Sequence, residues 1–246
     1  MKKHEISRIG EFHINHNEDS SAITDIGEDK ILIAVMDGCS MGKESHFAST
    51  LIAKLLRKIG KEISFREFAE RTKKETNEYL EEILKRLFED LKQLKNQLHL
   101  EIEEILSTLI IGVFDKQKKE IELMTIGDGL ICCNGELFEY EQDDKPDYLG
   151  YHLGEDFKSW LQNQSQKLSI KNVEDLSIST DGIFTFKNFD GKEYDKITEE
   201  EIVRYLLIDE KGANEENMLK TKIIEIENRF GLKPSDDLTI IRIINK

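Results

Sequence analysis

Ile31-Leu32-Ile33-Ala34-Val35-Met36-Asp37-Gly38-Cys39-Ser40 is the stretch on which the fold turns. Six apolar residues run directly into a carboxylate and a glycine. An unbroken apolar run of this length, rich in Ile and Val, predicts a strand buried on both faces. Asp37 ends the run, so its carboxylate sits where the backbone leaves the core. Gly38 permits a sharp turn and lets its carbonyl face a neighbour closely. Taken alone, Asp-Gly is ordinary turn chemistry. A carboxylate and a carbonyl at the mouth of a buried strand become a hard-cation site only if further carboxylates arrive.

On the N-terminal side, residues 4–13 have strand character. The polar run Ile14-Asn15-His16-Asn17-Glu18-Asp19 follows, and residues 20–25 read as a short strand. On the C-terminal side, Phe47, Leu51, Ile52, Leu55, Leu56 and Ile59 recur at helical spacing over about 44–60. Gly60 stands where a helix-ending glycine is expected. Ser64-Phe65-Arg66-Glu67 reads as a capping box opening a second helix. Leu80, Leu84, Leu87, Leu91, Leu94, Leu98, Ile102 and Ile105 then alternate in steps of four and three, a coiled-coil-like stripe. An unbroken helix over 65–105 would span roughly 60 Å. The expectation is therefore a break near Asn96-Gln97, or a helix pair projecting from the body. The stripe reads as ordinary helix packing, with a docking face for a partner protein as the alternative.

Thr108–Asp115, Glu120–Ile126 and Leu130–Asn134 are predicted strands, and Asn134-Gly135 leads by a hairpin into Leu137–Tyr140. They read as an antiparallel meander. Residues 141–170 read as loops with one short helix. Their Tyr148, Tyr151 and Trp160 either pack a long loop or line a substrate flap. Cys132 and Cys133 suit a half-buried strand, and Cys39 a small filler residue or an oxidisable thiol. Asp175–Thr180 is a strand ending in Asp181-Gly182. Thr198–Glu201 caps a helix to about 207, residues 214–229 form another ended by Gly231, and Leu238–Ile244 is the last strand. No βαβ alternation appears, so the fold class is α+β, with antiparallel sheets and segregated helices, in one domain over 1–246.

The 246 residues carry a net charge of −15, with 38% hydrophobic and 35% charged residues. That balance argues against nonspecific nucleic-acid binding and against anionic membranes, and leaves room for cations. Three cysteines without zinc-like spacing, no secretory leader and no apolar run of membrane length point to a reduced, cytoplasmic compartment.

Asp37, Asp128, Asp181 and Asp236 all lie at ends of predicted apolar strands, and Glu18-Asp19 precede another. Stacked sheets would bring such ends to one rim. Clustered carboxylates do not all stay ionised without a cation. An oxygen-only donor set favours Mg²⁺ or Mn²⁺ over zinc, and two such ions can activate a water for attack on phosphorus.

Val35-Met36-Asp37-Gly38, Gly127-Asp128, Ser179-Thr180-Asp181-Gly182 and Asp236-Asp237-Leu238-Thr239 follow one another as in the metal-dependent protein serine/threonine phosphatases of the type 2C class. Asn17-Glu18-Asp19 resembles that family's N-terminal acidic motif. The resemblance covers nearly the whole chain. It implies a sandwich of two antiparallel sheets flanked by helix pairs, with a two-metal centre at one end. It implies that Asp37 bridges both ions, that the Gly38 carbonyl binds one, and that Asp181 and Asp236 hold the other. Asp128 would help hold a third, weaker ion, and Glu18 and Asp19 would orient metal-bound water. Asp236 is preferred to Asp237 because the family's motif places its ligand three residues before Thr239. The implied substrate is a phosphoserine or phosphothreonine protein, attacked in line without a covalent enzyme intermediate.

Two departures stand out. The family's phosphate-gripping arginine falls at Ile14, with Arg8, His13 and His16 nearby. The segment after Asp37-Gly38 has one glycine, Gly42. Lys43 or His46 is a candidate replacement there, or else a solvated residue at a helix start. The alternative function is therefore a catalytically weak or inactive phosphatase-like module that docks a partner through 65–105. An acidic Ca²⁺-binding interaction protein is disfavoured, because no EF-hand spacing is present.

Overall fold

The computed structural model describes residues 1–40, 42, 44–141 and 147–246. In chain order these form β1 (Lys2–Arg8), β2 (Asp19–Ile26), β3 (Lys30–Asp37), α1 (Ser45–Glu70), α2 (Thr76–Leu98), β4 (Leu109–Asp115), β5 (Glu120–Ile126), β6 (Gly129–Cys133) and β7 (Glu136–Tyr140). Then come α3 (Phe157–Asn163), β8 (Lys167–Lys171), β9 (Asp175–Ser179), β10 (Phe186–Asn188), α4 (Glu199–Leu207), α5 (Met218–Phe230), β11 (Leu232–Pro234) and β12 (Leu238–Ile244). Two five-stranded antiparallel sheets run in the orders β1-β12-β9-β6-β7 and β2-β3-β4-β5-β8, and β10-β11 form a small ribbon.

The opening run explains the layering. Ile31, Ile33 and Val35 pack between the sheets, against Ile178, Ile241 and Ile243. Leu32, Ala34 and Met36 face the other way, against Ile52, Leu56, Ile83 and Leu87 of α1 and α2. Both faces are dry, as a continuous apolar run requires. On the far side, Ile202, Leu206, Ile223 and Ile226 of α4 and α5 cover Leu238 and Ile240. The fold is thus α+β, two stacked sheets between two helix pairs.

The helical region departs from the sequence expectation. α1 does not stop at Gly60, and Ser64–Glu67 caps nothing; it runs on to Glu70. Gly60 faces Thr24 of β2, where an added Cβ would lie 2.3 Å from the Thr24 methyl. Its missing side chain serves close helix–strand approach rather than termination. Ser64 accepts a hydrogen bond from the Gly27 amide at 3.1 Å. The chain turns at Arg71, which is left-handed (φ 53°), and Glu75 with Glu78 forms the capping box of α2. That helix ends at Leu98 before a left-handed His99, within two residues of the expected break. The pair lies flat on its sheet rather than projecting, clamped by Arg66 to Glu82 in a two-pronged contact at 2.6 and 2.8 Å.

The predicted meander is likewise divided. β4 and β5 belong to one sheet, β6 and β7 to the other. The crossing falls at Gly127-Asp128-Gly129, where both glycines have positive φ, 88° and 132°. Strand β1 stops at Arg8, and α5 begins at Met218, four residues later than expected. Cys132 and Cys133 are fully buried, on opposite faces of β6. Trp160 and Tyr148 are buried in packing, whereas Tyr151 is exposed. The 141–170 region holds a short 3₁₀ turn and α3 but, against the expectation of loops after the helix, it ends in strand β8, and its residues 142–146 lie outside the described residues.

Two stability tests follow. An alanine at position 60 gains about 1 kcal/mol of helix propensity but overpacks Thr24, at about 1–3 kcal/mol. Gly60→Ala is expected to lower the urea midpoint, and to raise it in a Thr24→Ala background. The Arg66 contact, with Lys74, holds Glu82 down to about 2. Its folded value lies below the ordinary glutamate range, so its stabilisation, about 1 kcal/mol, is complete above pH 5 and fades as pH falls from about 4.5 towards 2. Glu82→Gln should flatten that limb of the pH–stability curve.

Candidate metal centre

The acidic residues meet where the strands end. Asp19 and Asp37 are direct register partners on β2 and β3. Burial drives the Asp37 carboxyl well above its usual range, reinforced by the charges of Asp19, Asp181 and Asp236. Burial likewise raises Asp19 to about 8, against hydrogen bonds from Thr180 and Thr239 that favour its anion. Its Oδ2 accepts from the Thr180 hydroxyl at 2.7 Å, and among the described residues its Oδ1 is buried with no hydrogen-bond partner. Asp181, at the end of β9, rises to about 7 through burial and then the charges of Asp128 and Asp236. Asp128, in the crossing turn, is raised by burial and by Asp236. Five of the acids expected from sequence therefore feel one another electrostatically.

Glu18 stands apart from that group. Its carboxylate accepts hydrogen bonds from the hydroxyls of Ser45 and Ser40, the latter at 2.8 Å. Its own carbonyl takes the Gly38 amide at 3.1 Å and the Ser49 hydroxyl. Gly38 admits no side chain: an added Cβ would lie 2.0 Å from the Ser45 carbonyl oxygen.

Asp236 and Asp237 divide their work. Asp237 is buried and accepts from the Gly10 amide at 2.7 Å and the Glu18 amide at 2.5 Å. His13 Nδ1 approaches it at 2.9 Å, close enough to pair charges but not aligned as a hydrogen bond. Burial opposes charge on His13, but Asp237, Glu18 and Asp236 together hold it above the usual histidine range. The Asp236 side chain is half exposed, with His13 Nε2 at 3.6 Å, and remains open towards the rim. Sequence reasoning missed Asp237, Thr180, Ser40, Ser45 and Ser49 as supports. Two of them stood inside the motifs that carried the resemblance. Arg8 pairs with Glu227 of α5 at 3.0 Å, and Ile14 is exposed. Lys43 lies outside the described residues.

Among the described residues, no three His, Cys, Asp or Glu side chains close into a ready-made metal cage. The donor set nevertheless fits a hard cation that keeps several of its own waters: it is all oxygen, mutually repelling, and contains an orphaned Asp19 oxygen.

Stacked antiparallel sheets between helix pairs, with acidic strand ends gathered at one rim, mark a phosphatase-type sandwich. A sequence-family model described as protein phosphatase 2C matches residues 9–216, and the chain belongs to that family. Among solved structures, the phosphatase domain of SpoIIE with a fragment of its regulatory domain, from Bacillus subtilis, aligns at 18% identity and a TM-score of 0.59. The alignment covers 98% of this chain and 62% of that one. A bacterial serine phosphatase aligns at 14% identity over 100% of this chain and 98% of its own, TM-score 0.59. RsbX in complex with magnesium aligns at 15% identity over 97% and 92%, TM-score 0.52. These likenesses are of fold. No curated protein matches at a significant level.

Asp37→Asn removes a carboxyl whose ionisation burial and its acidic neighbours oppose. The metal-free variant should melt higher, by about 2–4 °C for each kcal/mol of relieved repulsion, and should lose the Mn²⁺-induced gain in melting temperature that the parent shows. Equal Mn²⁺ gains in both proteins would remove Asp37 from any ion site.

Proposed function

We propose that this protein is a metal-dependent phosphatase acting on phosphoserine and phosphothreonine in proteins, in the cytoplasm, with the whole of 1–246 as its domain. Asp37 and the Gly38 carbonyl, with Asp181 and Asp236, would hold two Mg²⁺ or Mn²⁺ ions, and Asp128 a third, weaker one. Bound there, the ions would supply an activated water and neutralise charge on the phosphoryl group. The observation that carries this reading is the burial of Asp37, Asp19 and Asp181 together at the end of the sandwich, each carboxyl raised by it, with Asp19, Asp181 and Asp236 raising Asp37 further. Buried carboxylates that oppose one another weaken a fold and fit a role towards cations.

The chain's own residues have distinct tasks. Thr180 fixes Asp19, so that its free oxygen can orient a water beside Asp37. Ser40 and Ser45 hold Glu18 in place on the opposite flank. Asp237 gathers the Gly10 and Glu18 amides and so anchors the N-terminal segment next to Asp236.

A second reading, a phosphatase-like module that docks a partner, draws on the exposed Ile14 and on the exposed Phe65 and Phe68 near the end of α1. Hydrolysis of p-nitrophenyl phosphate and of a phosphothreonine peptide separates the two. Turnover is expected with Mn²⁺ or Mg²⁺, none with EDTA, and a loss of at least a hundredfold in folded Asp37→Asn and Asp181→Asn. A metal-loaded, folded protein without turnover would favour the docking module.

A further inference from the structure

His16 and His46 come from separate segments yet stack face to face, ring centroids 4.2 Å apart and 19° from parallel. Among the described residues neither ring has a hydrogen-bond or ion-pair partner. His16 is exposed and His46 half-buried. Both sit on fixed backbone. His16 lies two residues before Glu18, whose amide is held by Asp237 and whose carbonyl takes the Gly38 amide. His46 follows Ser45, whose carbonyl abuts Gly38 and whose hydroxyl holds the Glu18 carboxylate. The pair therefore stands beside the Asp37-Gly38 end of β3.

A rim of carboxylates repels a phosphate dianion on every side not faced by a cation. Donors are needed on its outer flank. Two other basic groups near this segment are engaged: Arg8 with Glu227, and His13 with Asp236 and Asp237. Among the described residues the stacked imidazoles have no other partner, and they set two N–H-bearing rings side by side, centroids 4.2 Å apart. Two donors held that close can be shared by one tetrahedral anion.

We propose that His16 and His46 together form the phosphate-gripping element of this site, each ring N–H donating to an oxygen of the substrate's phosphoryl group. The proposal rests on the phosphatase reading above for its role in turnover, but not for phosphate binding itself.

The test uses the full chain loaded with Mg²⁺ and titrated with inorganic phosphate, watching the histidine ring resonances by NMR. Alanine variants at 16 and 46 assign them. Phosphate should shift the signals of both rings. On a phosphothreonine peptide, His16→Ala and His46→Ala should each raise KM and the phosphate inhibition constant about tenfold, with kcat changed less than threefold. His46→Gln, which keeps an N–H donor, should recover part of that loss. Thermal melts equal to the parent's would show that the variants fold. Ring signals unmoved by phosphate, or inhibition constants like the parent's, would overturn the proposal while leaving the phosphatase reading intact. Ring shifts without metal-dependent turnover would do the reverse: the phosphate site would stand and the catalytic reading would fall.

Discussion

Two carboxylates set opposite each other on neighbouring strands are the constraint that the rest of this molecule must satisfy. Side chains in such a register stand about 5 Å apart, and two like charges at that distance repel by about 3 kcal/mol at an effective dielectric of 20. Asp19 and Asp37 occupy this register, and Asp181 and Asp236 add to the field at Asp37. Loose strand ends would move apart and let both carboxyls ionise. Here they cannot, because β3 is dry on both faces and its neighbours are tied to it from outside. α1 fastens β2 through Ser49 on the Glu18 carbonyl, Arg57 on the Ser21 carbonyl and Ser64 on the Gly27 amide. The helix thereby also covers the free edge of that sheet.

The acidic rim was legible in the sequence because each of its members interrupts an apolar run. The interruption after Val35-Met36, at Asp37-Gly38, marks a strand end whatever the fold. The order of the motifs then named the family. The supports around the rim carry no such mark. Ser40, Ser45 and Ser49 look like ordinary polar residues at the start of a helix, and Asp237 looks like a spare copy of Asp236. Only the packed chain shows that Asp237 is buried under the Gly10 and Glu18 amides while the Asp236 side chain stays half exposed.

The helices were misjudged for a related reason. Gly60 and Ser64–Glu67 are strong local stop and start signals, and local signals lose when a strand passes close by. At Gly60 the space belongs to Thr24; at Ser64 the hydroxyl belongs to Gly27. The meander failed in the same manner, since alternating strands with short turns look alike whether the chain stays in one sheet or crosses to the other. The positive φ of Gly127 and Gly129 made the crossing, and any of several turn types would have accommodated the same residues.

Strand β12 follows all the other described strands in sequence and lies between β1 and β9, with Lys2 opposite Ile244. During translation the first strand must therefore wait for residues 238–244 before it finds its neighbour. The β2–β3 pair, carrying Asp19 and Asp37, forms from local contacts long before Asp236 and Asp237 exist. Pairings of such long sequence separation fold slowly. The rim is thus assembled from both ends of the strand order, half of it local and early, the other half waiting until β12 has paired with β1 and β9.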